Sequence, residues 1–226
     1  GVVPDFWANM DDEVAAIMAI VRLALEGVGV TFVEVDDIEI MALNNSVGFP
    51  VVFHEAYPDM VEYLATQGPG ISIAELRAGI ASPDVAGIYD TFVLPRKALD
   101  AAGNIVDSAP LYDYAQNVGR PALREHYKAL FARHRLDAFV FPTTPIVAPL
   151  ARPDVSEPQN FSLLIQNTEP SASAGLPGIQ LPVGIGATTR LPLGLEPHGH
   201  PRHHPRLLAI GIALENLLGR IAPARL

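Results

Sequence analysis

Between Asn167 and Ser173 the chain reads NTEPSAS, which sets a carboxamide, a carboxylate and three hydroxyls within seven residues and runs straight into the Gly/Pro turn AGLPG. Ser171, Ala172, Ser173, Ala174 and Gly175 are all small, so a second backbone or a ligand can approach this segment closely. Such a segment forms the wall of a packed site, or else a plain scaffold beneath the turn. A second pair of hydroxyls, Thr143 and Thr144, follows the apolar run DAFVFP. Ligands in α/β sheets collect beyond the carboxyl ends of strands, which makes Thr143 and Thr144 candidate substrate-binding residues.

Two further clusters could do chemistry. His198, His200, His203 and His204 lie within seven residues and could ligate zinc or nickel. A metal site needs defined geometry and usually acidic or further ligands, whereas Pro197, Pro201 and Pro205 keep this stretch irregular, so no metal is assigned. Ser46, His54 and Glu55 make a formal serine-histidine-acid set. No G-x-S-x-G elbow and no strand-turn-helix places the serine, and the set is discounted.

The elements that must position these groups read as α/β. A short apolar strand GVV precedes a helix with Asp11 and Asp12 at its start and Val14, Ile17, Met18, Val21 and Leu25 at helical spacing; the β-rich run VTFVEVDD follows. This is β-helix-β with a right-handed crossover over residues 1 to 36. From Asp37 to about Phe92 short helices are expected, one opening at Pro58, one at the capping box Ser72-Ile73-Ala74-Glu75 and one at Ser82-Pro83-Asp84. Ala101 to Asp107 is a polar connection, and Pro110 to Arg135 a long helix broken or kinked at Gly119 and Pro121. DAFVFP reads as a buried, parallel-type strand, Pro145 to Asn160 as an extended loop, IQLPVGIG and LPLGLE as two further strands, and RLLAIGIALENLLGR as a closing helix.

Composition narrows the partners. A formal charge of -10 without a basic run argues against nucleic acid and anionic membrane surfaces, leaving small neutral or cationic ligands. No cysteine occurs, which removes disulfides, zinc-thiolate sites and a cysteine nucleophile together. A hydrophobic content of 49% fills a sizeable core. The longest apolar run is interrupted by Arg22 and Glu26 and no signal-peptide pattern opens the chain, so a cytoplasmic protein is expected. The abrupt start at GVV suggests that residues preceding it have been removed or omitted.

The pattern N-T-x-P-x-x-x-A-G-L-P-G-x-x-L-P-V-G, followed by L-P-L-G-L-E and the closing helix, resembles the C-terminal region of the amidase signature family. In detail it is nearest to the arylacetamide-hydrolysing members, of the indoleacetamide and mandelamide hydrolase type. The resemblance runs from the opening strand to Leu218 and is most specific over Phe139 to Pro145 and Asn167 to Leu217. It implies an α/β fold, the C-terminal part of a mixed β-sheet flanked by helices, with residues 1–226 forming the C-terminal portion of a single domain whose N-terminal catalytic part is absent. In that family a serine nucleophile, a second serine in a cis peptide and a lysine lie in an upstream Gly/Ser-rich segment. Lys97 and Lys128, the lysines of this chain, sit in no matching motif. No catalytic residue is therefore assigned here. The implied reaction converts a carboxylic amide to acid and ammonia through an acyl-serine intermediate and needs no cofactor. The resemblance places Thr168 in the acyl pocket, Ser171 on the same cavity one helical turn on, and Asn167 beside them as a hydrogen-bonding neighbour. It makes Phe49, Phe53 and Tyr57 candidate channel walls, though as residues they read first as ordinary helix-packing aromatics. Ile165 stands where amidotransferase relatives hold a substrate-reading carboxylate, which favours an uncharged, aromatic acyl group. The histidine-rich PHGHPRHHPR departs from the acidic, glycine-containing loop expected at that point. Implied partners are the amide and either the missing half or a second copy of the chain. The alternative is a non-catalytic binding or scaffolding subunit that requires a partner chain.

Overall fold

The computed structural model describes residues 1–68, 70–152, 155 and 158–222. Two compact units emerge, residues 1–40 with 124–226, and residues 41–123. In the first, Asp11 caps helix α1 (Asp12–Gly27) by accepting the Val14 N–H at 2.8 Å. Val14, Met18, Val21 and Leu25 then recur on one face and are all buried. The second carboxylate oxygen of Asp11 accepts the Val147 N–H at 2.7 Å, and its own N–H donates to Pro145 O at 3.0 Å. One residue thus starts α1 and holds the loop at Pro145 and Val147.

The expected β-helix-β survives only as a single parallel bridge, Val2 to Glu34. Pro4, which has no N–H, opens a 3₁₀ turn (Pro4–Trp7) and ends the first strand. Asp37 accepts the N–H groups of Glu39 and Ile40, turning the chain from the second run into helix α2 (Glu39–Asn45).

The second unit is helical, as expected, with corrections. Pro58 lies inside the 19-residue α3 (Gly48–Thr66) rather than at its start; buried Val51 and Leu64 at either end hold one continuous helix despite the lost N–H. Helix α4 (Ile73–Ala78) opens on the Ser72/Glu75 capping box, and α5 (Pro83–Ile88) has Pro83 in its first turn. The stretch Ala101 to Asp107 is not merely a connection: strands β1 (Lys97–Leu99) and β2 (Ile105–Asp107) pair antiparallel around it. Asp100 closes that hairpin by accepting the N–H groups of Ala102 and Asn104, with Gly103 at φ +83°. The expected break at Gly119 is a π-helical segment, Ala115–Gly119, between α6 (Ser108–Tyr114) and α7 (Arg120–His134).

Back in the first unit, β3 (Ala138–Pro142) was expected to be parallel-type. It runs antiparallel to β5 (Pro192–Gly199) on one side, while on the other the Gly1 amine donates to Ala138 O and Val140 N–H to Gly1 O, a parallel arrangement. β4 (Leu181–Ile185) pairs with the far side of β5, and its register shifts between Pro182 and Gly184. The sheet is mixed. Part of the expected loop before it is helix α8 (Pro158–Ile165), while Pro153, Asp154, Ser156 and Glu157 lie outside the described residues. NTEPSAS winds into α9 (Glu169–Ala174), and α10 (His204–Leu218) closes the chain.

Alternation along β3 and β5 sorts the core into two layers. Leu193, Leu195 and Val140 pack with Leu181 against α1 and α10. On the opposite face Phe139 meets Tyr127 and Phe131 of α7 edge-on at 5.6 and 4.8 Å, and Phe141 meets Phe6 at 5.0 Å. Burial of each such ring contributes about 1.5–3 kcal/mol. Among the described residues no helix is long and apolar enough to cross a membrane.

Replacing Asp11 with Ala removes a helix cap and strands the Val147 N–H. The expected loss is about 1–3 kcal/mol of unfolding free energy. Urea denaturation of the variant checks it, with Asp11→Asn losing less.

Candidate functional site

The opening segment and the end of β3 meet at Asn167, just before helix α9. Its side chain is fully buried, and its carboxamide donates to Phe6 O at 2.8 Å and to Pro142 O at 2.7 Å. Its oxygen accepts from Gln166 Nε2 at 3.1 Å, and the same nitrogen donates to Asp5 O at 2.9 Å. Asn167 therefore clamps the opening segment to the tip of β3. Both its amide hydrogens go to main-chain carbonyls, so Asn167 positions the site and does not offer them to a ligand.

Beyond the clamp, Thr143 donates its N–H to Gly194 O at 3.0 Å. Its Oγ1 is buried and has no hydrogen-bond partner among the described residues. Gly194 is required beneath it, because a Cβ there would lie 2.6 Å from that oxygen and would also strike the Gln180 side chain. Thr144 Oγ1 donates to Ile146 O at 2.9 Å and shapes the turn. Thr168 occupies the N-cap of α9 without a side-chain capping bond, and is half-buried. Ser171 is buried, and its hydroxyl donates to Thr168 O at 3.1 Å. Of the five expected residues, Asn167 and Thr143 are joined through Pro142, and Thr168 and Ser171 through α9.

The turn after α9 is set by Gly175 in the left-handed region (φ +73°), with Arg124 Nε donating to Ala174 O at 2.7 Å. Gly178 then lies flat on β5, where a Cβ would sit 2.5 Å from His198 Nε2. His198 is not in an irregular loop as expected; it belongs to β5, and its Nε2 meets Glu196 Oε1 at 2.6 Å. This buried acid-imidazole pair went unnoticed in the sequence, although the spacing Glu-x-His within a strand places both on one face. His204 begins α10, which separates it from the others. Among the described residues no group of three or more His, Asp or Glu side chains could hold a metal ion.

In the second unit Ser46, His54 and Glu55 do not assemble. Ser46 Oγ donates to Leu43 O, Glu55 accepts from Tyr112 and Gln116, and His54 Nδ1 meets Ser108 Oγ at 2.9 Å. Arg96 approaches His54 Nε2 at 2.9 Å. A guanidinium only donates, so Nε2 accepts and the proton sits on Nδ1, facing Ser108; that histidine cannot act as its base. Burial, and then the Arg96 charge, hold the His54 pKa below the usual histidine value. Phe49, Phe53 and Phe92 form a stack with centroid spacings of 5.4 and 4.6 Å, and Tyr57 is half-buried.

Asn167→Asp keeps the shape but turns a donor into an acceptor facing two carbonyls, whereas Asn167→Ala leaves both carbonyls without their donor. Each is expected to cost about 2–4 kcal/mol in thermal or urea unfolding.

The Amidase family profile matches residues 1–208. Mandelamide hydrolase of Pseudomonas putida is 37% identical over 220 residues, spanning 97% of this chain and 43% of that protein. Indoleacetamide hydrolase of Rhizobium radiobacter is 35% identical over 220 residues, with 95% and 45% covered. Among solved structures, an amidase superposes with a TM-score of 0.69 at 22% identity over 97% of this chain and 45% of that one. The peptide amidase PAM, solved with the competitive inhibitor chymostatin, gives 0.69 at 20% identity over 100% and 44%. Both share the fold. The chain spans less than half the length of the curated relatives it matches. With a family match over most of its residues and the mixed sheet to go with it, the chain belongs to the amidase family.

Proposed function

We propose that this chain is the C-terminal portion of a single-domain amide hydrolase of the cytoplasm, acting on an uncharged, arylacetic-type amide. The observation that carries this reading is the 37% identity to a mandelamide hydrolase across 97% of the chain. In the complete enzyme a serine of the remaining part attacks the amide carbon, the C–N bond breaks, and ammonia leaves with a proton relayed by the serine-lysine pair. Water then cleaves the acyl-serine ester to the acid. This chain contributes the acyl pocket, lined by Thr143, Thr144, Thr168 and Ser171 and held in place by Asn167. The Thr143 hydroxyl supports the assignment, since a buried polar atom without a protein partner is where a ligand group gains most from a hydrogen bond.

The partner of this portion is the remaining half of such an enzyme, or a second copy of the chain. Support comes from the outward faces of two helices that pack together: Ile20 and Leu23 of α1 are 63% and 69% exposed, and Leu208 and Ile212 of α10 are 55% and 61% exposed. A scaffolding subunit would share these faces but not the pocket, and pocket mutations separate the two.

Thr168→Phe in the complete enzyme is expected to lower kcat/KM for phenylacetamide roughly tenfold more than for acetamide. Equal losses on both amides would leave Thr168 a structural residue. The 226-residue chain by itself is expected to hydrolyse no phenylacetamide and to elute in light scattering above its monomer mass of 24.2 kDa. Turnover by a monodisperse monomer would defeat the assignment of catalysis to the remaining part.

A further inference from the structure

In an acidic chain of formal charge -10, the stretch His198 to Arg206 carries four histidines, two arginines and no carboxylate. The fold gathers part of it around a cavity of about 300 Å³, lined by Leu136, Asp137, His200, His203, Arg206 and Leu207 together with Gly199. The floor is apolar. Leu207 is buried, and it reaches the end of β5 because Gly199 has no side chain: a Cβ there would stand 3.2 Å from Leu207 Cβ. The rim is basic. The His200 ring lies 4.3 Å from Phe131 and 5.2 Å from His203, and Arg206 reaches Asp137, the one carboxylate of the lining, at 2.7 Å. That ion pair is open to water, with side chains 65% and 72% exposed, so it holds Arg206 weakly.

Two imidazoles and a guanidinium over an apolar floor suit an anion with a hydrocarbon body. They do not suit a cation, and no third metal-ligating group joins the histidines among the described residues. We propose that this cavity binds a small organic acid, its carboxylate held by His200, His203 and Arg206 and its hydrocarbon part resting on Leu136 and Leu207. Burial, then the neighbouring His203 and Lys128, hold the His200 pKa below the usual histidine value. A bound carboxylate offsets the two neighbouring positive charges and favours the His200 imidazolium. Binding therefore takes up protons and tightens as the pH falls through the histidine range, against the single opposing charge of Asp137.

The test is calorimetric titration of sodium phenylacetate into the 226-residue chain at about pH 5.5 and about pH 8, with acetate and inorganic phosphate in parallel; the probe acid is ionised at both. Phenylacetate is expected to saturate one site at the lower pH, roughly tenfold more tightly than at the higher, and to outcompete acetate and phosphate. Arg206→Gln and His203→Asn, both at exposed positions, should each weaken it about tenfold with no change in melting temperature. Lack of saturation at the lower pH, phosphate binding as tightly as phenylacetate, or undiminished binding in both variants would overturn the proposal. Because the readout is binding, none of these outcomes depends on amide hydrolysis.

Discussion

A single buried carboxamide governs the geometry of the first unit. Asn167 holds the carbonyls of Phe6 and Pro142 with one NH₂ group, and those carbonyls belong to segments 136 residues apart in sequence. Each would otherwise be a buried acceptor without a donor, at a cost of about 1–3 kcal/mol. The clamp therefore fixes where β3 ends, and with it the direction in which Thr143 and Thr144 leave the sheet. Gln166 extends it to Asp5, and Asp11 repeats the device at the next loop by holding Val147. Polar side chains here connect backbone to backbone, and the apolar layers fill in behind them.

How far this was legible in the sequence depended on whether the governing contact was local. Helix α1, the Ser72/Glu75 capping box and the β4–β5 pair follow from spacing and capping chemistry within a few residues, and the structure has them. The direction of β3 does not follow: its five residues are apolar on both faces, which fits parallel and antiparallel neighbours alike, and only the partners decide. Pro58 misled because a proline normally marks a first turn, and here packing at Val51 and Leu64 overrides that preference. The stretch after Leu99 was read as a polar link because the Asp100 carboxylate, not an apolar pattern, makes it a hairpin.

The candidate site shows the same division. Thr143 and Thr144 follow the end of β3 as expected, because that placement depends on where the strand stops and not on its direction. Asn167 was expected only as a hydrogen-bonding neighbour of the pocket; that it clamps two main-chain segments was not legible, since its acceptors come from Phe6 and Pro142 and nothing in NTEPSAS announces them. The Glu196–His198 pair was hidden by the surrounding prolines, which made a strand look like an irregular loop; the register with Phe139 and Phe141 is what reveals it.

Gly178 and His198 have a consequence for how the sequence can vary. Because the imidazole occupies the space a Cβ at 178 would need, neither position can be judged alone. A methyl group at 178 is excluded while the ring stands at 198, and a smaller residue at 198 leaves a void that only a larger neighbour at 178 fills. The two sites are one unit of choice: single changes at either are strongly non-additive, and paired changes can be tolerated where each alone is not. The turn of the amidase chain and the strand beneath it must therefore drift together.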